Sequence, residues 1–193
     1  MKRSTIIVIV ILALLVLWGI SINNRMVSQE EGVTTAWANV ESQYQRRADL
    51  IPNLVNTVKG YAAHESETLQ AVVNARAKAT SISVDSQNMT PEQLKEFQEA
   101  QNQVTGALGR LIAVAESYPD LKANENFKEL QAQLEGTENR IATERKKYNE
   151  VVKAYNTYIR KFPQSLFANV LGFDKKPYFE SEEGTEKAPT VEF

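Results

Sequence analysis

The hydrophobic pattern changes sharply about twenty residues into the chain. Residues 4–22 carry no charged side chain and consist almost wholly of Ile, Val and Leu. A helix over this segment would be about 28 Å long, which matches the ~30 Å hydrocarbon core of a bilayer. The pattern therefore predicts a transmembrane anchor over residues 1–25, followed by a polar chain with no second apolar run.

A cleavable signal peptide is the alternative, since Lys2 and Arg3 precede the apolar segment. Against it, the segment exceeds the roughly 7–15 apolar residues of a signal peptide, and residues 19–25 lack a clear small-x-small cleavage site. A retained anchor is favoured. Because Lys2 and Arg3 lie before the span and Arg25 after it, the positive-inside rule predicts a cytoplasmic N-terminus and an extracytoplasmic remainder.

Beyond the anchor, apolar side chains recur every three or four residues, which is the period of an amphipathic helix. They do so in three segments, at about residues 33–79, 91–115 and 124–162. Pro52 lies inside the first segment. Because Ile51 would be a poor N-cap for a new helix, we expect one helix that is kinked at Pro52 and continues through it.

The start of the second helix is predicted by local sequence. Thr90 followed three residues later by Gln93 forms a capping box, and Pro91 occupies the first helical position, where proline is favoured. The preceding residues 80–89 are rich in Ser, Asp and Asn without helical periodicity, which predicts a break between the first two helices.

The segment lengths predict an all-α fold, in which an N-terminal transmembrane helix is followed by an elongated antiparallel bundle over residues 26–173. We expect the first helix to rise from the membrane and the second to descend beside it. An extended segment at 118–124 then returns the chain to the base, from which the third helix climbs. The bundle counts as three helices, or four if Pro52 divides the first. A short amphipathic turn is expected at 164–171, and the acidic residues 174–193 are predicted to form a flexible tail.

Composition removes several kinds of chemistry. The 193 residues include no cysteine and one histidine, which excludes disulfides and cysteine nucleophiles and leaves the usual zinc ligand sets unavailable. His64-Glu65 begins the zinc-helix motif His-Glu-x-x-His, but the second histidine is missing. A net charge of −2 argues against nucleic acid as a partner.

Motifs of enzymes are also missing from the sequence. Neither Gly-x-Ser-x-Gly nor the phosphate-binding pattern Gly-x-x-x-x-Gly-Lys occurs. The 24 acidic residues give many carboxylate pairs on long helices, and none is singled out as an acid/base pair. We therefore predict no catalytic, metal-binding or cofactor-binding residue, no cofactor and no enzymatic activity.

Charged side chains interrupt the apolar faces of the first and third helices. They either extend to the edge of the bundle or form ion pairs between helices, since an unpaired buried charge is heavily penalised. Our hypothesis for such a network places Arg47 and Asp49 opposite residues 138–145. The charged residues on these faces are Arg47, Glu65, Arg76, Glu144 and Arg145.

Tyrosines occur at helical spacing on the same faces. We interpret them as core residues with their hydroxyls at the wet edge, in preference to a ligand-stacking platform. The basic residues 145–147 and 160–161 could contact phospholipid headgroups, although neighbouring glutamates favour a solvated face. The tyrosines are Tyr44, Tyr61, Tyr148, Tyr155 and Tyr158.

Several blocks of the sequence resemble the bacterial LemA family, and together they extend from about residue 24 to residue 179. The blocks are RADLIPNLVNTVKGYAAHE at 47–65, YPDLKANENFKELQ at 118–131, ENRIA at 138–142, KYN at 147–149 and AYN at 154–156. One departure is Glu144, where the family commonly has a small residue, so this side chain is expected to be exposed or paired. The resemblance implies a single-pass membrane protein with a helical bundle and no established catalytic activity.

The expected function follows from these features. We predict a membrane-anchored, non-catalytic bundle at the bacterial inner membrane, acting as a scaffold that associates with further copies of itself through coiled-coil-like helices or with envelope proteins not yet identified. One alternative is an envelope sensor or hydrolase with a polar site between helices. Another is an oligomer that remodels the membrane.

Overall fold

The computed structural model describes residues 3–180, and within that range the chain is helical without strands. The all-α prediction is therefore confirmed. The helices are α1 (Arg3–Lys59), α2 (Ser66–Ser81), α3 (Pro91–Ala115), α4 (Pro119–Ala123), α5 (Glu125–Arg160) and α6 (Gln164–Leu171).

Helix α1 joins the apolar segment to the bundle without interruption. Its 57 residues give a length of about 85 Å. The large apolar side chains from Ile6 to Trp18 are 47–63% exposed, as expected for a surface that faces lipid. At Ile22, which is 5% exposed, one face of the same helix enters the core of the bundle.

Helix α1 continues through Pro52, as predicted. Proline has no backbone N–H, so the carbonyl of Ala48, four residues earlier, loses its usual helical partner. The side chain of Arg76 on α2 replaces it, because its Nε donates to the Ala48 carbonyl at 2.7 Å. One of the charged residues on the predicted apolar faces thus satisfies the backbone group that the proline leaves free.

The predicted single helix over 33–79 is wrong, because α1 ends at Lys59 and α2 begins at Ser66. The backbone N–H of Gly60 closes the end of α1 on the carbonyls of Asn56 and Thr57, each at 3.3 Å. Apolar residues on both sides of the break, Val58 and Leu69 among them, face the same core. Their period continues through the reversal, so periodicity alone does not reveal it.

This extra reversal changes the path of the chain. Helix α2 returns along α1, α3 rises, α4 turns the chain at the far end, and α5 runs antiparallel to α1 back towards the membrane. The prediction that the second helix descends and the third climbs is therefore wrong. The predicted extended segment at 118–124 is also wrong, since most of it is α4, whose Leu121 is fully buried.

Buried side chains form two cores along the length of the bundle. The membrane-proximal core lies between α1, α5, α6, the start of α3 and the segments at 82–90 and 174–180. The distal core lies where α1, α2, α3 and α5 meet, with α4 covering its end. Arg47 lies between them, since Tyr44 belongs to the proximal core and Ile51 to the distal one.

The prediction of a flexible tail is wrong for residues 174–180. Residues 174–180, called the tail segment below, lie against α5, and Lys176 and Phe179 are 6% and 5% exposed. The remaining residues of the predicted tail, 181–193, lie outside the described part of the chain. The short helix expected at 164–171 is confirmed as α6.

Candidate functional site: the Arg47 cluster and the clamped tail segment

Arg47 is a buried arginine at the centre of the bundle, with 2% of its surface exposed. Its Nη1 donates to Thr105 Oγ1 at 2.8 Å and to Glu138 Oε1 at 2.7 Å. Its Nη2 donates to the backbone carbonyl and to the Oε1 of Gln101, at 3.1 and 2.6 Å. Both terminal nitrogens of the guanidinium therefore have two acceptors each.

These four residues, called the Arg47 cluster below, join three helices. Arg47 belongs to α1, Gln101 and Thr105 belong to α3, and Glu138 belongs to α5. The guanidinium also lies over the ring of Tyr44, with its carbon 5.1 Å from the ring centre. Burial raises the pKa of the Tyr44 hydroxyl, and the charges of Arg47 and Arg145 partly oppose this rise. Because the Arg47 guanidinium donates to acceptors on two other helices, it fixes the three helices in register and has few N–H donors left for a ligand.

The predicted ion pair between Arg47 and the 138–145 stretch is confirmed at Glu138, and the inclusion of Asp49 is wrong. Asp49 is exposed and accepts a hydrogen bond from Gln45 Nε2 at 2.7 Å, one turn earlier on α1. Since positions 45 and 49 are neighbours on a helix surface, local pairing satisfies this carboxylate without a partner helix.

Each of the other charged residues on the apolar faces has a partner of its own. Glu65 accepts a hydrogen bond from the Tyr118 hydroxyl at 2.9 Å, and this bond raises the pKa of Tyr118. Glu144 pairs with Lys147 at 2.7 Å, so the side chain that departs from the LemA pattern is paired, as expected. Arg145 lies over the ring of Phe179 and donates to the carbonyl of Glu180.

A cleft of about 410 Å³ opens beside the Arg47 cluster, between α1, α2 and α3. Its volume is in the range of small-molecule sites. Its wall is a mixture of apolar and polar side chains. The lining includes Glu41, Tyr44, Arg47, Arg76, Thr80, Ser83, Phe97 and Gln101.

Two asparagines on α5 clamp the tail segment. The side-chain amide of Asn156 accepts from the N–H of Lys176 at 3.0 Å and donates to its carbonyl at 2.8 Å. Asn149 does the same with Phe179, at 2.9 and 3.0 Å. Each amide thus pairs with one residue's backbone as a neighbouring strand would, and holds an extended chain against a helix.

The tyrosine before each asparagine adds a further bond. Tyr148 donates to the carbonyl of Pro177 at 3.2 Å and Tyr155 to that of Asp174 at 3.0 Å. Burial raises the pKa of each hydroxyl far above the ordinary value for tyrosine. Both hydroxyls therefore keep their proton and act as hydrogen-bond donors. Phe179 then stacks on Trp37 of α1, with ring centres 5.9 Å apart.

Lys176 carries a buried charge within the same segment. Its Nζ lies 2.8 Å from Glu30 Oε1 on α1 and donates to the carbonyl of Gln87 at 2.6 Å. The tail segment therefore bridges α1, α5 and the 82–90 connection. The sequence contained a signal for this clamp, because the dipeptide Tyr-Asn occurs at 148 and again at 155, two helical turns apart on one face.

The remaining candidates from the sequence lie at several places on the bundle. His64 is exposed in the turn between α1 and α2, and the described residues contain no group of three metal-ligating side chains. Of the basic residues 145–147, Arg145 contacts the tail segment and the two lysines are exposed. Arg160 and Lys161 are exposed at the membrane end of α5. Tyr44, Tyr148 and Tyr155 are core residues, as predicted, whereas Tyr158 is half-buried and Tyr61 is 45% exposed. The predicted position of the hydroxyls at the wet edge is wrong for Tyr148 and Tyr155, which are fully buried and donate to backbone carbonyls of the tail segment.

The sequence profile of the LemA family matches residues 36–193, which include the Arg47 cluster and the clamped tail segment. The chain belongs to the LemA family. The match starts inside α1, beyond the apolar segment. The family-like blocks KYN and AYN thus contain the residues that clamp the tail segment in this LemA-family chain.

Individual relatives are similar over most of the chain. Magnetosome protein MamQ 2 of Paramagnetospirillum magneticum is 29% identical over 176 residues, which is 82% of this chain and 65% of that protein. Magnetosome protein MamQ of Magnetospirillum gryphiswaldense is 29% identical over 173 residues, covering 81% and 64%. Protein LemA of Metamycoplasma hominis is 24% identical over 160 residues, covering 83% and 69%. The chain thus spans just under two thirds of the length of these magnetosome proteins.

Proposed function

We propose that this LemA-family chain is a non-catalytic scaffold at the bacterial inner membrane, where its bundle holds further copies of itself or other envelope proteins. The observation that carries the proposal is the continuity of α1 from Arg3 to Lys59. A span and a bundle that share one helix hold the bundle's surface at a defined distance from the bilayer. Partners that meet it diffuse in two dimensions, which raises their effective concentration.

The Arg47 cluster supports a structural role for the bundle interior. Its guanidinium has four acceptors on α3 and α5, and the other charged residues of the apolar faces have partners of their own. An acid/base or anion-binding site needs polar groups left free to meet a substrate. The charges that the sequence places inside are instead used to hold helices together, so partner binding is assigned to the outer surface.

Self-association can be tested by cysteine crosslinking in the membrane, because the chain has no native cysteine that would also react. Single cysteines at exposed sites on different helices, Glu96→Cys on α3 and Asn139→Cys on α5, are treated with a short bismaleimide in intact cells. A scaffold is expected to give discrete crosslinked species from one face and a defined oligomer in native nanodiscs. Monomers in nanodiscs together with no crosslinked species from either site would overturn the proposal.

The proposed orientation places the bundle outside the cytoplasm. Ser117 is exposed at the far end of the bundle, between α3 and α4. In spheroplasts, Ser117→Cys is expected to react with a membrane-impermeant maleimide before permeabilisation. Reaction only after permeabilisation would reverse the orientation without affecting the proposed association.

A sensor or hydrolase is the second candidate, and the cleft beside Arg47 is the observation that favours it. The cleft could hold a small molecule against Arg76 and Thr80. Native mass spectrometry of the protein extracted from membranes tests this directly. A bound small molecule that is lost in Thr80→Trp and kept in Thr143→Trp, an exposed site on α5, would favour the second candidate over the scaffold.

A further inference from the structure

Helix α6 lies beside the last turn of the transmembrane segment. The ring of Phe167 meets Trp18 edge-on, with ring centres 6.1 Å apart. A Cβ at position 19 would come within 3.3 Å of the same ring, so Gly19 allows the close approach of the two helices. Ala168, on the inner side of α6, is buried in the membrane-proximal core with Ile22.

The outer side of α6 is apolar and uncovered. Leu166 and Val170 lie one turn apart and are 59% and 84% exposed. Phe162, just before the helix, is 80% exposed, and Leu171 at its end is 49% exposed. No residue from Gln164 to Leu171 is charged, so water would meet a continuous apolar patch here.

The height of this patch is set by α1. Trp18 is in the final turn of the apolar span, and tryptophan is enriched where hydrocarbon meets headgroups. The exposed apolar surface of the span continues directly to this level through Leu17 and Ile20, which are 63% and 51% exposed. The patch on α6 therefore lies at the same level as the end of the span's exposed apolar surface.

Charged side chains lie above the patch. Arg160 and Lys161 are exposed at the end of α5, immediately before Phe162, and Lys175 is exposed beyond α6. Arg25 on α1 lies over the ring of Tyr158, 5.4 Å from its centre, one turn from the end of the span. Cations at this level are placed to meet phosphate groups while the apolar side chains below them meet acyl chains.

We propose that α6, with Phe162, is a second membrane contact that lies in the interface of the bilayer spanned by α1. Its apolar side enters the boundary between headgroups and acyl chains, while Phe167 and Ala168 hold it to the bundle. A single span leaves open the direction in which α1 and the bundle tilt relative to the bilayer. The α6 contact fixes this direction and thus which side of the bundle is nearest the membrane.

The inference is tested on the full chain in nanodiscs, with an environment-sensitive fluorophore on single cysteines. Val170→Cys reports on α6, Leu14→Cys on the span, and Thr157→Cys on an exposed site of α5 above the interface. Lipids brominated near the top of their acyl chains are expected to quench the label at position 170 several-fold more than at 157. Equal quenching at positions 170 and 157 would overturn the inference.

A pair of variants distinguishes lipid from protein as the occupant of the patch. Leu166→Asp combined with Val170→Asp is expected to abolish bromolipid quenching of a label at Phe162→Cys, whereas Asn169→Asp, an exposed neighbour, preserves it. Unchanged circular dichroism checks that the bundle remains folded. A label at 170 shielded from both lipid and aqueous quenchers, with crosslinks between copies through that site, would assign the patch to a second copy and overturn the inference. The lipid-quenching outcomes do not depend on the proposed scaffold role.

Discussion

The two cores of the bundle are filled with different kinds of side chains. The membrane-proximal core contains six buried aromatic residues, whereas the distal core contains Phe127 as its single buried aromatic among the described residues. The distal core instead contains five alanines. The proximal aromatics are Trp37, Tyr44, Phe97, Tyr148, Tyr155 and Phe179, and the distal alanines are Ala62, Ala79, Ala100, Ala107 and Ala115.

The number of helices explains the difference. Four helices surround the distal core, and alanines allow α2 and α3 to approach closely. Near the membrane α2 has ended and α3 has barely begun, so α1 and α5 alone run the full length. Large rings and the non-helical segments 82–90 and 174–180 fill the space that helices leave there. The proximal core therefore depends on the tail segment, and the distal core does not.

Trp37→Ala is expected to have the largest effect, because this fully buried ring contacts Phe97, Tyr148 and the tail residue Phe179. We expect a loss of about 3–5 kcal/mol of unfolding free energy, measured by urea denaturation in detergent micelles. Leu54→Ala is the distal control. Both variants should be destabilised, but hydrogen exchange of the tail segment should accelerate in Trp37→Ala alone; acceleration in both would contradict the separation of the cores.

Arg47→Met breaks the cluster between the two cores. The expected loss is about 2–3 kcal/mol, below the value for a fully buried pair because Glu138 is 38% exposed on its side chain. Arg46→Met is the matched control, since Arg46 is the exposed neighbour on the same helix. Unfolding should also become less cooperative, with the two cores melting separately. Equal stability of the two variants would rule out the cluster as a structural link.

Asn156→Ala removes both amide bonds to Lys176. The expected loss is about 1–3 kcal/mol, since two backbone groups lose their partners, and the N–H groups of Lys176 and Phe179 should exchange faster with solvent. Exchange in α2 and in the second half of α3 should remain as in the parent chain. Asn139→Ala, at an exposed position of α5, serves as control and should change neither quantity.

A pair of glycine substitutions is expected to show the smallest effects, with opposite signs. A Cβ at Gly106, on α3 beside the distal core, meets nothing within 4 Å, so Gly106→Ala should stabilise the chain by about 0.5–1 kcal/mol. Gly172, beside the proximal core, has φ of 78°, so Gly172→Ala should destabilise it by about 1 kcal/mol. Thermal unfolding of both variants measures the signs; stabilisation by Gly172→Ala would be inconsistent with this conformation.

Features decided by neighbours in sequence were predictable. The capping box at the start of α3 forms as expected, with Thr90 Oγ1 accepting from the Gln93 N–H at 3.2 Å and Gln93 Oε1 accepting from the Thr90 N–H at 3.0 Å. Both partners lie within one turn, so their pairing needs no other element. The same holds for the apolar span of α1. Glu144 was expected to be exposed or paired, and its partner Lys147 also lies within one turn.

The break at residues 60–65 was missed for a physical reason. Val58 and Leu69 both contact the distal core, so the apolar period is the same for one long helix as for two that reverse. Composition misled the prediction of the tail in a similar way. Its charges indicate solvent exposure, but Lys176 is neutralised by Glu30, a residue far away in the sequence.

Some of the contacts in the Arg47 cluster could be predicted from the sequence, and others could not. Burial of Arg47 on an apolar face requires an acceptor, and the third predicted helix offered one in the 138–145 stretch. Local sequence does not reveal that Gln101 and Thr105 complete the set, because they lie on α3, whose direction depends on the extra reversal. Nor does it predict that Arg76 fills the gap left by Pro52.

The sequence by itself determined that the chain is helical, that its first helix is apolar enough to cross a bilayer, and where α3 begins, because propensity, hydrophobic period and capping act within a few residues. Only the tertiary structure decided that α5 runs back to the membrane, that the Tyr-Asn pairs clamp the tail segment, and that α6 lies beside Trp18. These outcomes depend on which surfaces meet after the chain reverses, and contacts between residues far apart in sequence leave no local pattern.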